Sequence, residues 1–183
     1  KFDNVKPDST TTLDSGFRPT NSSIDIPWSA TDNFLLKSVQ LEYRFFSDSQ
    51  SAPGNWINYE TKNIDGLTAN GQFSGFSFVK GEGRYDFQIT ARDHAGNEEL
   101  AEIDTFVVLD GTSAQGDYVY DDDFWVTGST EILWQVSDNY ELYSIEMRYS
   151  YKSDNSSDFG PWESFQTTSL NGISEEGTFT FNF

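Results

Sequence analysis

The chain carries one stretch twice. Shifted by 106 positions, Ile26, Trp28, Asp32, Asn33, Leu36, Ser38, Val39, Leu41 and Tyr43 fall on Ile132, Trp134, Asp138, Asn139, Leu142, Ser144, Ile145, Met147 and Tyr149 without a gap. The same shift carries Trp56 to Trp162, Gly66 to Gly172, Gly71 to Gly177 and Phe73 to Phe179. A period of that size is a whole domain of about 100 residues, so two modules of one design are expected. The first spans 1–109, with 1–8 a linker or the tail of a preceding module, and the second spans 110–183.

Within the first repeat the apolar residues alternate. Ser23–Ala30 puts Ile24, Ile26, Trp28 and Ala30 on one side, and Ser38–Phe46 does so with Val39, Leu41, Tyr43 and Phe45. Period two is the mark of half-buried strands, and Thr31–Leu36 forms the turn between them. Pro27 lacks the N–H of a ladder and calls for an edge or a bulge. Further strands are expected at Trp56–Tyr59, Phe73–Val79, Tyr85–Ala91 and Ile103–Leu109, with turns at Asp65-Gly66 and Asn70-Gly71. Tyr85–Ala91 is patterned strongly enough to be central. Short strands with turn signals every 8 to 12 residues, roughly, indicate an all-β chain of immunoglobulin-like sandwiches. Aromatic residues make up 16% of the chain, which favours strands.

The second module repeats the plan with Tyr118–Tyr120, Thr130–Val136, Ser144–Tyr151, Trp162–Phe165 and Thr178–Phe183. Phe183 falls on Ser77, so no counterpart of residues 78–109 follows, and the last two strands of the sandwich are missing. Three readings stand: the sequence is a window from a longer protein, another chain supplies the strands by β-augmentation, or the second module is rearranged.

Several pieces together resemble a known group: Thr31-Asp32-Asn33 and Ser137-Asp138-Asn139, Ser38–Arg44 and Ser144–Tyr149, Tyr85–Asn97, and Val108–Thr112. The chain resembles the tandem bacterial-Ig-like repeats of archaeal and bacterial cell-surface proteins, including surface-layer proteins and large adhesins. The resemblance implies the sandwich fold and an extracellular, cell-surface location, and it names no ligand.

In such a sandwich the turns at Asp32-Asn33 and Asp93–Asn97 project from one pole. The matching turn Asp138-Asn139 is then expected near Asp110 in the linker. Converging carboxylate, amide and backbone oxygens are the ligand set of Ca²⁺, making Asp32, Asn33, Asp93, Asn97, Asp110, Asp138 and Asn139 the candidate metal ligands. The same residues equally serve as Asx-turns that cap backbone amides, with Gly96 supplying a positive φ. Asn21 and Asn155 begin Asn-x-Ser sequons in loops, open to glycosylation on a surface glycoprotein or to chance. Trp28/Trp134 and Trp56/Trp162 recur in register as core or near-core anchors, leaving Trp125 as the candidate for stacking on a sugar.

Thirty acidic against 11 basic residues give a formal charge of −19, which repels nucleic acid and anionic membrane surfaces and attracts divalent cations. No apolar run of about eighteen residues offers membrane insertion in this segment. There is no cysteine, and the single histidine, His94, sits in a turn beside Asp93. No catalytic constellation is expected. The sequence therefore suggests a non-enzymatic surface-layer, filament or stalk segment whose partners are its own or neighbouring repeats. The alternative is an adhesin module that binds cell-surface glycans.

Overall fold

The computed structural model describes residues 3–18, 23–47, 51–119 and 128–182, and these form strands and loops without a helix. They divide into unit 1, Lys1–Gly111, and unit 2, Thr112–Phe183. Unit 1 contains β1 (Asp8–Thr11), β2 (Gly16–Arg18), β3 (Ile24–Phe46), β4 (Ile57–Phe76), β5 (Gly83–Asp93) and β6 (Thr105–Leu109).

The two expected strands Ser23–Ala30 and Ser38–Phe46 are the halves of β3. Between them the ladder with β4 jumps from Thr31 opposite Thr68 to Leu36 opposite Gly66, and there the hairpin folds back on itself. Nineteen residues of β3 separate Ile24, opposite Phe76, from Tyr43, opposite Ile57. In straight strands Tyr43 and Phe76 would stand about 60 Å apart, yet their ring centroids are 5.0 Å apart. One hairpin thus supplies both layers of a sandwich. The first half of β3 pairs with β1 and β4. Its second half pairs with β4 and β5, and β6 and β2 continue that layer. β1 and β2, in the Ser/Thr-rich segment without apolar alternation, attach to different layers, β2 running parallel to β6. Pro27 lies just beyond the end of the β1 ladder, where Thr11 faces Trp28.

β5 is central, between β3 and β6, and Tyr85, Phe87, Ile89 and Ala91 are buried against Ile26, Trp28, Val39 and Leu41. The Tyr85 hydroxyl donates to Gly81 O (2.9 Å) and accepts from Lys80 N–H (3.1 Å). This is the tyrosine corner of immunoglobulin-like sandwiches. Burial pushes that phenol up to about 12, so it keeps its proton at any physiological pH.

Two sequence expectations change. Asn70-Gly71 is no turn: it lies in the β4 ladder opposite Ser29 and Trp28. Gly71 recurs as Gly177 because a Trp ring crosses the backbone at that point. A Cβ there would stand 2.9 Å from Trp28 Cζ2, or 2.5 Å from Trp134 Cζ2. Trp162 is no core anchor, being 66% exposed. Its counterpart Trp56 is covered by the Arg44 guanidinium, 4.8 Å from the ring centroid, and the repeat places Ser150 where Arg44 stands.

Unit 2 contains β7 (Gln115–Val119), β8 (Ser129–Tyr149) and β9 (Glu163–Asn182) in the order β7-β8-β9. It repeats the fold-back. The ladder jumps from Ser137 opposite Ser174 to Leu142 opposite Gly172. Phe181, opposite Thr130, touches Tyr149 at 5.2 Å and Phe165 at 4.8 Å. Phe76 makes the same contacts with Tyr43 and Tyr59, so Phe181 is its equivalent, one residue short of the 106-residue shift. The missing residue is a bulge in unit 1. Gly75, at φ +70°, donates its N–H to Asp25 Oδ1 (2.9 Å), and the register slips between Ile24 and Ile26. Phe183 lies outside the described residues.

β6 covers β5 only from Gly83 to Phe87. Beyond it, carboxylates replace a strand: Asp104 Oδ2 accepts from Ile89 N–H (2.6 Å) and Glu99 Oε2 from Ala91 N–H (3.0 Å). Burial, reinforced by the charges of Glu99, Glu102 and Asp8, pushes the Asp104 carboxyl up to about 6 against the lowering effect of the Ile89 bond. Its pKa is thus higher folded than unfolded, so its stabilising contribution is full below about pH 4 and is lost as pH rises through 6. Asp104→Asn, which keeps an acceptor for Ile89, should flatten that slope and raise the urea midpoint at pH 7. Parallel wild-type and variant curves from pH 4 to 7 would count against it.

Candidate metal centre

At the fold-back of β3, Asp32 caps the turn: its Oδ2 accepts from the N–H groups of Phe34 and Leu35, both at 3.1 Å. At the end of β5, Asp93 is fully buried and accepts from Asn97 N–H (2.7 Å) and Asn97 Nδ2 (2.6 Å). His94 N–H donates to Leu35 O (2.9 Å), which ties the two turns together. Burial acts to raise the Asp93 carboxyl, but the bonds from Asn97 and from the Gly96 and Ala95 amides outweigh it and hold the group below its ordinary value. It is a carboxylate at neutral pH. Gly96, at φ +97°, lets the loop turn tightly enough to aim those amides inward.

A third acid joins them. Asp3 arrives from the N-terminal segment and is held by Asn33 Nδ2 on its Oδ1 (3.4 Å) and by Asn97 Nδ2 on its carbonyl oxygen (3.3 Å). Carboxylate oxygens of Asp3, Asp32 and Asp93 lie within 4.8 Å of one another. That is about twice a Ca²⁺–O distance, so one ion fits between them. Asp3 Oδ2 and Asp32 Oδ1 are buried with no hydrogen-bond partner. Buried, unsatisfied carboxylate oxygens beside further anions are costly, and a divalent cation would satisfy them. Three carboxylates suit it as donors, while Asn33 and Asn97 face Asp3 and Asp93 through their Nδ2 groups.

The other candidates divide between the two units. Asp138 makes the same Asx-turn as Asp32, its Oδ1 accepting from Tyr140 N–H (2.8 Å) and Glu141 N–H (3.3 Å). Asn139 beside it is exposed. Among the described residues of unit 2 no cluster of three acids forms around them. Asp110 follows β6 in unit 1, its N–H donating to Arg18 O (3.1 Å). Asn155 is exposed in the loop between β8 and β9, and His94 is exposed. Asn21 and Trp125 lie outside the described residues.

No family model matches this sequence, and no curated protein matches it. Among solved structures, the chain is similar to one from the work described as "Chaperone-tip adhesin complex is vital for synergistic activation of CFA/I fimbriae biogenesis". The likeness has a TM-score of 0.43 at 7% identity and covers 96% of this chain and 92% of that one. A likeness of that degree assigns neither a ligand nor an activity.

Proposed function

We propose that this chain is a non-enzymatic structural segment of an extracellular surface assembly, a surface layer, filament or stalk. It supplies spacing and assembly contacts to its own or neighbouring repeats. One observation carries the reading: the same folded-back hairpin is built twice, with Trp28 and Phe73 answered by Trp134 and Phe179 at ring separations of 6.0 and 5.8 Å. Serial repetition of one module is how chains gain length and repeated contact surfaces. Calcium at Asp3, Asp32 and Asp93 would pin the N-terminal segment to the pole of unit 1 and stiffen the approach to it. The acidic surface suits a cation-rich exterior.

Light scattering of the full chain over a range of concentrations, with and without Ca²⁺, tests this. Particles larger than a monomer that grow with concentration are expected, more so in Ca²⁺ and less after chelation. A monomer throughout would overturn the assembly role. A second reading, a glycan-binding adhesin module, is favoured by Trp162 and Tyr151, 66% and 71% exposed beside the open face of unit 2. Quenching or a shift of Trp fluorescence on adding oligosaccharides to a persistent monomer would select it.

A further inference from the structure

In unit 1 the outer edge of the second half of β3 is filled by β5, which sets Val39 opposite Ala91, Leu41 opposite Ile89 and Tyr43 opposite Phe87. Those three β3 residues are 0%, 0% and 7% exposed. In unit 2 the equivalent edge, Leu142–Tyr149 of β8, pairs only with β9 on its other side, and no described strand covers it. Ile145, Met147 and Tyr149 are consequently only half-buried, with Glu146 and Arg148 exposed between them. Neither charged residue has an ion pair among the described residues. An uncovered edge backed by an apolar face is a template for another strand.

Resting on the assembly role, we propose that this edge pairs antiparallel with the same edge of a second copy of the chain, about a two-fold axis at Met147. The sequence of the edge is self-complementary in that register. Met147 faces Met147 once, on the axis, while Ile145 faces Tyr149 on the apolar side and Glu146 faces Arg148 on the outer side, each of these twice because the interface is isologous. The second copy's Tyr149, Met147 and Ile145 then take the places that Ala91, Ile89 and Phe87 of β5 take in unit 1, and they cover Trp134 and Phe179 from the open side. Of the strands a foreign partner could offer, few would match both the apolar alternation and the order of the two charges. A second copy does so by symmetry.

The test is a charge exchange on the full chain, read by light scattering at about 0.15 M salt, where the repulsion between two acidic chains is screened beyond about 8 Å and contact pairs persist. Glu146→Arg or Arg148→Glu alone sets like charges opposite each other twice and should weaken self-association about ten-fold or more. An equimolar mixture of the two variants should restore association as a heterodimer, and the double variant E146R/R148E should associate like wild type. Both positions are exposed, and circular dichroism will confirm that each variant folds. If wild type associates but every variant associates equally, this edge is overturned while the assembly role stands. If the single variants are monomeric and their mixture stays so, the register is overturned. A wild-type monomer at all concentrations overturns both proposals. A monomer that instead binds a peptide copying Gly83–Asp93 would assign the edge to a foreign strand and overturn the second-copy proposal.

Discussion

Replacing Phe76 with Ala is expected to cost unit 1 about 3 to 5 kcal/mol, a large share of the roughly 5 to 15 kcal/mol that holds a domain folded. Phe76 is 1% exposed, and its ring meets Tyr43, Tyr59, Phe78, Tyr85 and Phe87 at centroid distances of 4.9 to 6.0 Å, all near edge-to-face. Phe76 lies in the first layer, opposite Ile24, while Tyr43, Tyr59, Tyr85 and Phe87 belong to the second, so the ring is where the folded-back hairpin closes on β5. Its loss removes the transfer free energy of a large side chain and leaves a cavity that five rings cannot collapse into without leaving their own contacts. Phe181→Ala, the same change in unit 2, should cost distinctly less because Phe181 is only partly buried. Denaturant titrations of the two variants, with near-ultraviolet circular dichroism as the probe, separate the cases. Equal costs would mean that β5 contributes little to the burial of Phe76.

The contrast between these two residues shows what the sequence could and could not disclose. Period-two alternation located β5 and both halves of β3, because burial of one face dictates that pattern directly. The repeat carried the same plan over to unit 2. What escaped were features set by contacts distant in sequence. Asn70-Gly71 reads as a turn by local chemistry, but the glycine is there to let Trp28 cross β4. The bulge at Gly75 moves the equivalence from Gly75–Phe181 to Phe76–Phe181, which an ungapped shift conceals. Trp162 reads as an anchor because it repeats Trp56 in register, yet Trp56 is itself only half-buried, under Arg44, and the repeat does not keep that arginine. Asp32, Asp93, Asn33 and Asn97 were legible as one pole of a sandwich. Asp3 was not, since it lies in a segment that reads as linker, far before Asp93 in the chain. The signal that could have found it was Asp110, an acid at the corresponding approach to the second module.

Asp3 makes the calcium reading testable in a way that the turn residues alone do not. In saturating Ca²⁺ the wild-type chain should melt well above its value in chelator. A ligand at 100 times its Kd stabilises by about 2.7 kcal/mol, which for a unit of this size is on the order of 10 °C. Asp32→Asn retains an oxygen for the Phe34 and Leu35 amides but removes the charge, so it should melt at or above wild type in chelator and lose most of the calcium increment. Asp3→Asn should behave the same way, although Asp3 takes no part in the β3 turn. Asp32→Ala should lose the cap as well, at a cost of about 1 kcal/mol under both conditions. If instead the wild-type melting temperature is the same in Ca²⁺ and chelator, the three carboxylates hold no ion. The buried oxygens of Asp3 and Asp32 would then be a standing cost to the fold, and Asp3→Asn should raise stability by relieving their repulsion. In Ca²⁺ the two outcomes predict opposite signs for one substitution, so the melting curves of wild type and Asp3→Asn in Ca²⁺ decide between a binding site and a frustrated acidic cluster.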